Sequence, residues 1–231
     1  MSRLTKILIG VVGGLVVLAI GLFVVYKVFV ESDPEPEAEI AETEVVEDAG
    51  TLDGTYTAFA GPAETPSFVG YRVQEVLVGG AIEQTATGRT GDVTGTFTIT
   101  GNRVEEVSVT ANLTTLTSDR SQRDNAIKDR GLESNMFPEA TFVLAEPIDL
   151  PEQPAPGEAV LVSAVGDFTL HGVTKRVEIP LEGRWDGELI QAVGTLHIVF
   201  GDYDIEAPTA AAVASIEDEG EMEFQLFFRQ A

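Results

Sequence analysis

The chain has 231 residues, no cysteine, and 38 Asp plus Glu against 14 Lys plus Arg, for a formal charge of −24 at pH 7. That balance repels polyphosphate, and no Lys/Arg cluster supplies a basic patch, so a nucleic-acid partner is excluded. Without cysteine there is no disulfide, thiolate catalysis or Cys-ligated metal. The length accommodates one mid-sized domain with accessory segments, and abundant Thr, Val and Gly lean toward β-structure.

Residues 1–30 carry Arg3, Lys6 and Lys27 and no acid. Ile7 to Tyr26 is an uncharged run of twenty residues. As a helix it rises roughly 30 Å, the thickness of a hydrocarbon core. The run is longer than the apolar region of a cleaved signal and ends without a small-x-small site, which predicts an uncleaved signal anchor, a cleaved export signal being the alternative. The excess of basic residues before the run places the N-terminus in the cytoplasm and everything after residue 30 outside, as a single-pass cell-membrane protein. Residues 31–50 hold nine acids, Pro34, Pro36 and no base. Such a segment buries no apolar surface and reads as an acidic, disordered linker.

From residue 51 to residue 231 the dominant pattern is alternation of apolar and polar residues, broken by turn residues. Val93, Gly95, Phe97 and Ile99 share a face, followed by a Gly101-Asn102 turn and then Val107, Val109, Ala111 and Leu113. Val160, Val162, Ala164, Gly166, Phe168 and Leu170 lead through His171-Gly172 to Val177, Ile179, Leu181, Gly183 and Trp185. Asp186-Gly187 turns the chain into Ile190, Ala192, Gly194, Leu196, Ile198 and Phe200, and a last strand sets Met222, Phe224, Leu226 and Phe228 opposite Glu221, Glu223, Gln225 and Arg229. Weaker strands are expected at 55–60, 67–78, 85–89 and 140–146, nine or ten in all. Pro180 implies an edge or a bulge. One short helix is predicted, with a capping-box pattern at Ser121 to Asp124, continuing over 125–130 and stopped by Gly131.

Hairpin-linked strands with one apolar face pack as two sheets or close into a barrel. Small inward residues such as Gly95, Ala164, Gly166, Gly183, Ala192 and Gly194 leave room inside an eight-stranded barrel for one small ligand, or else mark bends in a packed core. If Gly194 faces an axial cavity, Gly194→Phe should reduce ligand uptake without unfolding the barrel. The two histidines do not converge in the pattern, His171 in a tight turn and His197 on the outward face, and both are expected at the surface. No nucleophile elbow, zinc-protease helix, phosphate loop or dinucleotide fingerprint occurs. The acids Glu217, Asp218, Glu219 and Glu221 lack the spaced loop of a calcium site. The expectation is therefore no catalytic group, no metal and no cofactor.

Three ordered stretches carry a family resemblance. Ser67-Phe68-Val69-Gly70-Tyr71-Arg72-Val73 with Thr94-Gly95-Thr96-Phe97, then Ser121-Gln122-Arg123-Asp124-Asn125 leading to Met136-Phe137-Pro138-Glu139-Ala140-Thr141-Phe142, then Gly166 through His171-Gly172 to Val177, resemble the YceI-like family of exported polyisoprenoid-binding proteins. Tyr56 stands in the first strand, where members often carry Trp. The resemblance covers about residues 54–230 and implies a lipocalin-like antiparallel β-barrel holding a long isoprenoid or fatty chain along its axis. It also implies that Arg123, Asp124 and Pro138 belong to a helix and cap over one barrel end. Alternation nominates the apolar lining: Phe97, Ile99, Val109, Phe168, Leu170, Ile179, Leu181, Leu196, Ile198, Phe224 and Leu226. Arg72 or Arg123 are candidates for a polar headgroup. Two functions follow, a membrane-tethered lipid carrier without chemical conversion, or a packed structural and interaction barrel without a ligand.

Overall fold

The computed structural model describes residues 12–21, 23, 34–46, 49–77, 82–150, 153–208 and 213–231. Residues 1–34 and 35–231 are separate compact units. In the first, residues 12–21 are helical, with Leu15, Val17 and Leu18 exposed. Among the described residues no helix is long and apolar enough to cross a membrane. The expected span Ile7 to Tyr26 lies partly outside the described residues.

The second unit is an antiparallel barrel. Its strands are β1 (Gly54–Phe59), β2 (Phe68–Leu77), β3 (Ile82–Thr90), β4 (Val93–Thr100), β5 (Arg103–Asn112), β6 (Thr117–Ser118), β7 (Glu139–Leu144), β8 (Ile148–Asp149), β9 (Ala159–Leu170), β10 (Val173–Trp185), β11 (Leu189–Val199), β12 (Val213–Ile216) and β13 (Glu219–Gln230). Eight of them form the ring β1-β4-β5-β7-β9-β10-β11-β13, closed by the pairing of β13 back to β1. β13 is shared along its length: Phe227 to Gln230 pair with β1, whereas Glu221 to Gln225 pair with β2, which turns into β3. Closure removes the edges that this much alternating strand would otherwise expose.

Local chemistry explains the turns. Gly101 and Asn102 have φ of 55° and 64°, and His171 and Gly172 have 51° and 75°. Positive φ at both central residues is what a two-residue hairpin needs to match strand twist. Pro180 pairs with Ser163 on β9, while the ladder from β10 to β11 begins only at Leu181. The missing N–H therefore coincides with the point where β10 and β11 part. In β5 the register slips around Glu106, whose φ is 54°, and the bulge turns both Val104 and Val107 inward, a pairing that strict alternation does not produce.

The predicted helix is present as Ser121–Ala126, and one π-type turn, Ile127–Gly131, follows it. The capping box is not formed. Arg120 occupies the cap position and its side chain turns to Asp119 instead of capping the helix, while Asp124 Oδ1 accepts from Ser118 N at 2.8 Å and Ser118 Oγ at 2.6 Å. The acidic linker also differs from expectation. Residues 35–46 have no helix or strand, yet they are hydrogen-bonded along the barrel's outer face, because a strap of main chain finds side-chain donors and acceptors there.

Candidate functional site

The barrel interior divides between two apolar clusters. Leu52, Tyr56, Phe97, Ile99, Trp185, Leu226 and Phe228 fill one end; Leu113, Ala140, Phe168, Leu170, Ile179, Leu196, Ile198, Tyr203 and Ile205 fill the other. Each surrounds a cavity. The first, of about 190 Å³, lies at the Trp185 end, and Arg184 is the only charged residue among the described residues bordering it. The second, of about 140 Å³, lies under the helix and is closed there by Arg123, Ile127, Gly131 and Leu132. Val69, Ala140, Phe168 and Met222 border both and form the partition. Small-molecule sites begin at roughly 300 Å³, a size these cavities approach only when joined.

Of the nominated residues, Phe97, Ile99, Val109, Ile179, Leu181, Phe224 and Leu226 border the first cavity, Leu170 and Ile198 the second, and Phe168 both. Leu196 is buried in the second cluster and borders neither cavity. Further lining came from Trp185, inward on a clean strand but not nominated, and from positions outside the clean strands: Leu52 ahead of β1, Phe142 on β7, Leu150, Pro154, and Val69 and Tyr71 on β2. The alternation of residues 67–78 carries Val69, Tyr71, Val73 and Glu75 on one face, and this was the available signal.

Of the inward glycines, Gly183 borders the first cavity with no neighbour closer than 4.0 Å to a Cβ, but Gly166 and Gly194 do not open space. Gly194 lies opposite Phe224 on β13, and a Cβ there would come within 2.7 Å of the ring and 2.9 Å of the Pro180 carbonyl oxygen. Gly88 seats Tyr71 and Gly166 seats Phe142 in the same way. Gly194→Phe is therefore a folding lesion and not a clean cavity block. Gly88, Gly166 and Gly194 are seats for aromatic rings of neighbouring strands.

One polar cluster breaks the apolar wall. Glu75 points inward at 3% exposure and is held by Arg123 Nη2 at 2.6 Å and by Gln84 Nε2. Arg123 thus neutralises a buried carboxylate, as a helix residue must if the charge is to stay inside. Arg72 is elsewhere, on the outer face, bonded to Glu223. Among the described residues two buried side-chain polar atoms lack a hydrogen-bond partner, Tyr71 Oη and Gln84 Oε1. Tyr71 borders the second cavity, and burial pushes its phenol above the ordinary value, so the hydroxyl stays protonated and is a donor. His171, expected at the surface, is buried: its ring nitrogens lie 3.0 Å from Tyr203 O and 2.9 Å from Glu133 Oε2, and Phe137 packs edge-on against it. His197 is exposed, with Nδ1 2.9 Å from Glu221 Oε1.

Comparison with known proteins gives this interior a context. A family model described as YceI-like domain matches residues 63–228. The UPF0312 protein of Vibrio parahaemolyticus is 29% identical over 139 residues, 56% of this chain and 70% of that protein. A Vibrio campbellii UPF0312 protein is 27% identical over the same shares. Among solved structures, a polyisoprenoid-binding domain from Saccharophagus degradans implicated in plant cell wall breakdown superposes with a TM-score of 0.59 at 20% identity, over 76% of this chain and 98% of that one. BcnA of Burkholderia cenocepacia follows at 0.53 and 17%, over 70% and 95%. These structural likenesses are matters of fold, but the family match spans most of the barrel unit, and on that ground the chain belongs to the YceI-like domain family.

Proposed function

We propose that the barrel binds one long-chain lipid of isoprenoid type, without chemical conversion, with its chain in the first cavity and its polar end at Tyr71. The observation that carries this reading is the pair of apolar cavities on one barrel axis, separated only by side chains. Burying a few hundred Å² of hydrocarbon, at about 25 cal/mol per Å², supplies useful affinity before binding costs are subtracted. The domain from Saccharophagus degradans, described as polyisoprenoid-binding, supports the ligand class by likeness of fold. The polar end follows from Tyr71 Oη, a buried donor without an acceptor, which a ligand oxygen would satisfy. An uncharged hydroxyl or carbonyl suits this position better than a phosphate, because Glu75 already neutralises Arg123 and would repel an anion.

The uncharged run from Ile7 to Tyr26 supports attachment to the cell membrane, with the barrel on the extracytoplasmic side, and residues 12–21 of that run are helical with exposed apolar side chains. The test is to export residues 35–231, purify them without detergent, and compare native with denaturing mass spectra. A released long-chain lipid makes the carrier reading the working description. A lipid-free protein that also refuses isoprenoid alcohols replaces it with the packed interaction barrel.

A further inference from the structure

The segment 35–46 covers a face that a barrel normally shows to water. Gln191 and Gln225 point outward from β11 and β13 by alternation, yet they are 4% and 7% exposed. The strap is held through its main chain. Gln191 reads both sides of it, accepting from Ala41 N at 2.7 Å and donating to Glu39 O at 2.9 Å. Gln225 accepts from Glu39 N at 3.4 Å, and Glu35 N donates to Thr87 Oγ1 at 3.1 Å. Because barrel side chains grip peptide groups, the strap's acidic side chains are left toward solvent, and of them Glu35 alone, among the described residues, forms an ion pair with the barrel, 3.7 Å from Arg89 Nη1.

The strap runs to the mouth of the first cavity. Arg184, which borders that cavity, donates from Nη1 to Ala41 O at 2.5 Å, from Nη2 to Thr43 O at 3.3 Å, and from Nε to Gly157 O at 3.1 Å. One guanidinium therefore ties the strap to the loop that carries Pro154 into the cavity wall. Val46 N donates to Asp186 O at 2.8 Å in the turn after β10, so the strap also holds the turn beside Trp185. Just beyond, Ala49 packs on the apolar cluster and Leu52 forms part of the cavity wall.

We propose that residues 35–46 are a strap that regulates access to the first cavity: docked, it laces the turn, the loop and the chain leading to Leu52 across the Trp185 end of the barrel; released, it opens that end. Tension on the chain ahead of Glu35 peels the strap from its first contacts, where Thr87 accepts from Glu35 N and Arg72 and Arg89 donate to Glu35 O and Pro36 O, so attachment of the N-terminal segment and opening of the cavity are mechanically linked. This gives the proposed lipid site its regulation and rests on that reading for its purpose, while the opening itself is measured without a lipid.

The native chain has no cysteine, so one introduced thiol is the only one present. In the full chain in phosphatidylcholine nanodiscs, Ala192→Cys on the cavity wall reacts with N-phenylmaleimide at a rate set by access. Glu39→Pro/Ala41→Pro removes the two strap N–H donors that Gln225 and Gln191 accept and alters no barrel residue; Arg184→Ala removes the clasp from the other side. Spin labels at Glu37→Cys and Ser108→Cys, in a parallel set without the Ala192 change, report release as a broadened distance distribution. Expected are a broadened distribution and at least a ten-fold faster reaction in both variants. Broadening with an unchanged rate overturns the gate, and a distribution that stays narrow in both variants overturns the clasp on which the gate rests. Loss of the lipid reading would show instead as a lipid-free mass spectrum, with the thiol rates unaffected.

Discussion

Glu223 sits on the outward face of β13 and is nevertheless 1% exposed. Arg72 Nε and Arg89 Nη2 hold its two oxygens at 2.8 and 2.9 Å, and Arg89 stacks on Phe68. The crossing is possible because Gly70 stands between Glu223 and Arg89 in register; a Cβ there would lie 2.6 Å from Gly88 O and 2.8 Å from Arg89 Cγ. Glu223→Ala leaves two guanidiniums without their shared carboxylate and should cost about 3 kcal/mol, read from urea unfolding. On the inner face, Tyr71→Phe keeps the ring over Gly88 and deletes only the hydroxyl. It should weaken binding of a polyisoprenoid alcohol roughly five- to ten-fold, about 1 kcal/mol, and leave a hydrocarbon such as squalene unchanged in a fluorescence competition assay. At the surface, hydrogen bonding to Glu221 raises the His197 pKa above its ordinary 6.5. A ring titration by NMR should show the raised midpoint, and Glu221→Gln should lower it. Since the folded-state value is the higher one, any stability from this pair is fully present below the unfolded-state pKa and is lost as pH rises through the folded one. The inward Glu75 was legible as a charge on an apolar face of period two. Its partner was not, because Arg123 lies 48 residues away and no local pattern pairs them.

Among the elements, strands and hairpin turns were the most legible, since alternation and turn residues act over a few positions. The expected weaker strands at 55–60 and 140–146 are found at Gly54–Phe59 and Glu139–Leu144. What alternation missed is the bulge at Glu106, where one added residue shifts the inward set, and the outer layer of strap and loop that buries Gln191, Gln225 and Phe227. The glycines separate by neighbour. At Gly166 a Cβ would meet Val143 O at 2.5 Å and the Phe142 ring, whereas at Gly183 its nearest neighbours are 4.0 Å away. Gly166→Ala should therefore lose roughly 2 kcal/mol, or about 4–8 °C in Tm by calorimetry. Gly183→Ala should leave Tm within a degree or two, because an extended backbone with open space accepts the methyl.

For the whole molecule the central question is how much of the barrel axis a ligand can use. Ala192 borders the first cavity, so Ala192→Phe projects a ring into existing space instead of into a packed neighbour. Lipid carried through purification should fall at least five-fold in this variant while circular dichroism and Tm stay near those of the parent; unchanged lipid content would mean the chain lies elsewhere. The sequence by itself determined the β class, the longer strands and their turns, the family membership, and an apolar inward face, because each depends on short-range pattern or on ordered motifs; the short strands β6, β8 and β12 carry too few residues for alternation to mark them. Whether small inward residues make room or seat rings, which outward residues are covered, and where the acidic segment goes were decided only in three dimensions. Those outcomes depend on which strand lies beside which: Gly194 is closed because Phe224 is its cross-strand neighbour, and residues 35–46 are ordered because Gln191, Gln225 and Arg184, distant in sequence, align on one face of the closed barrel.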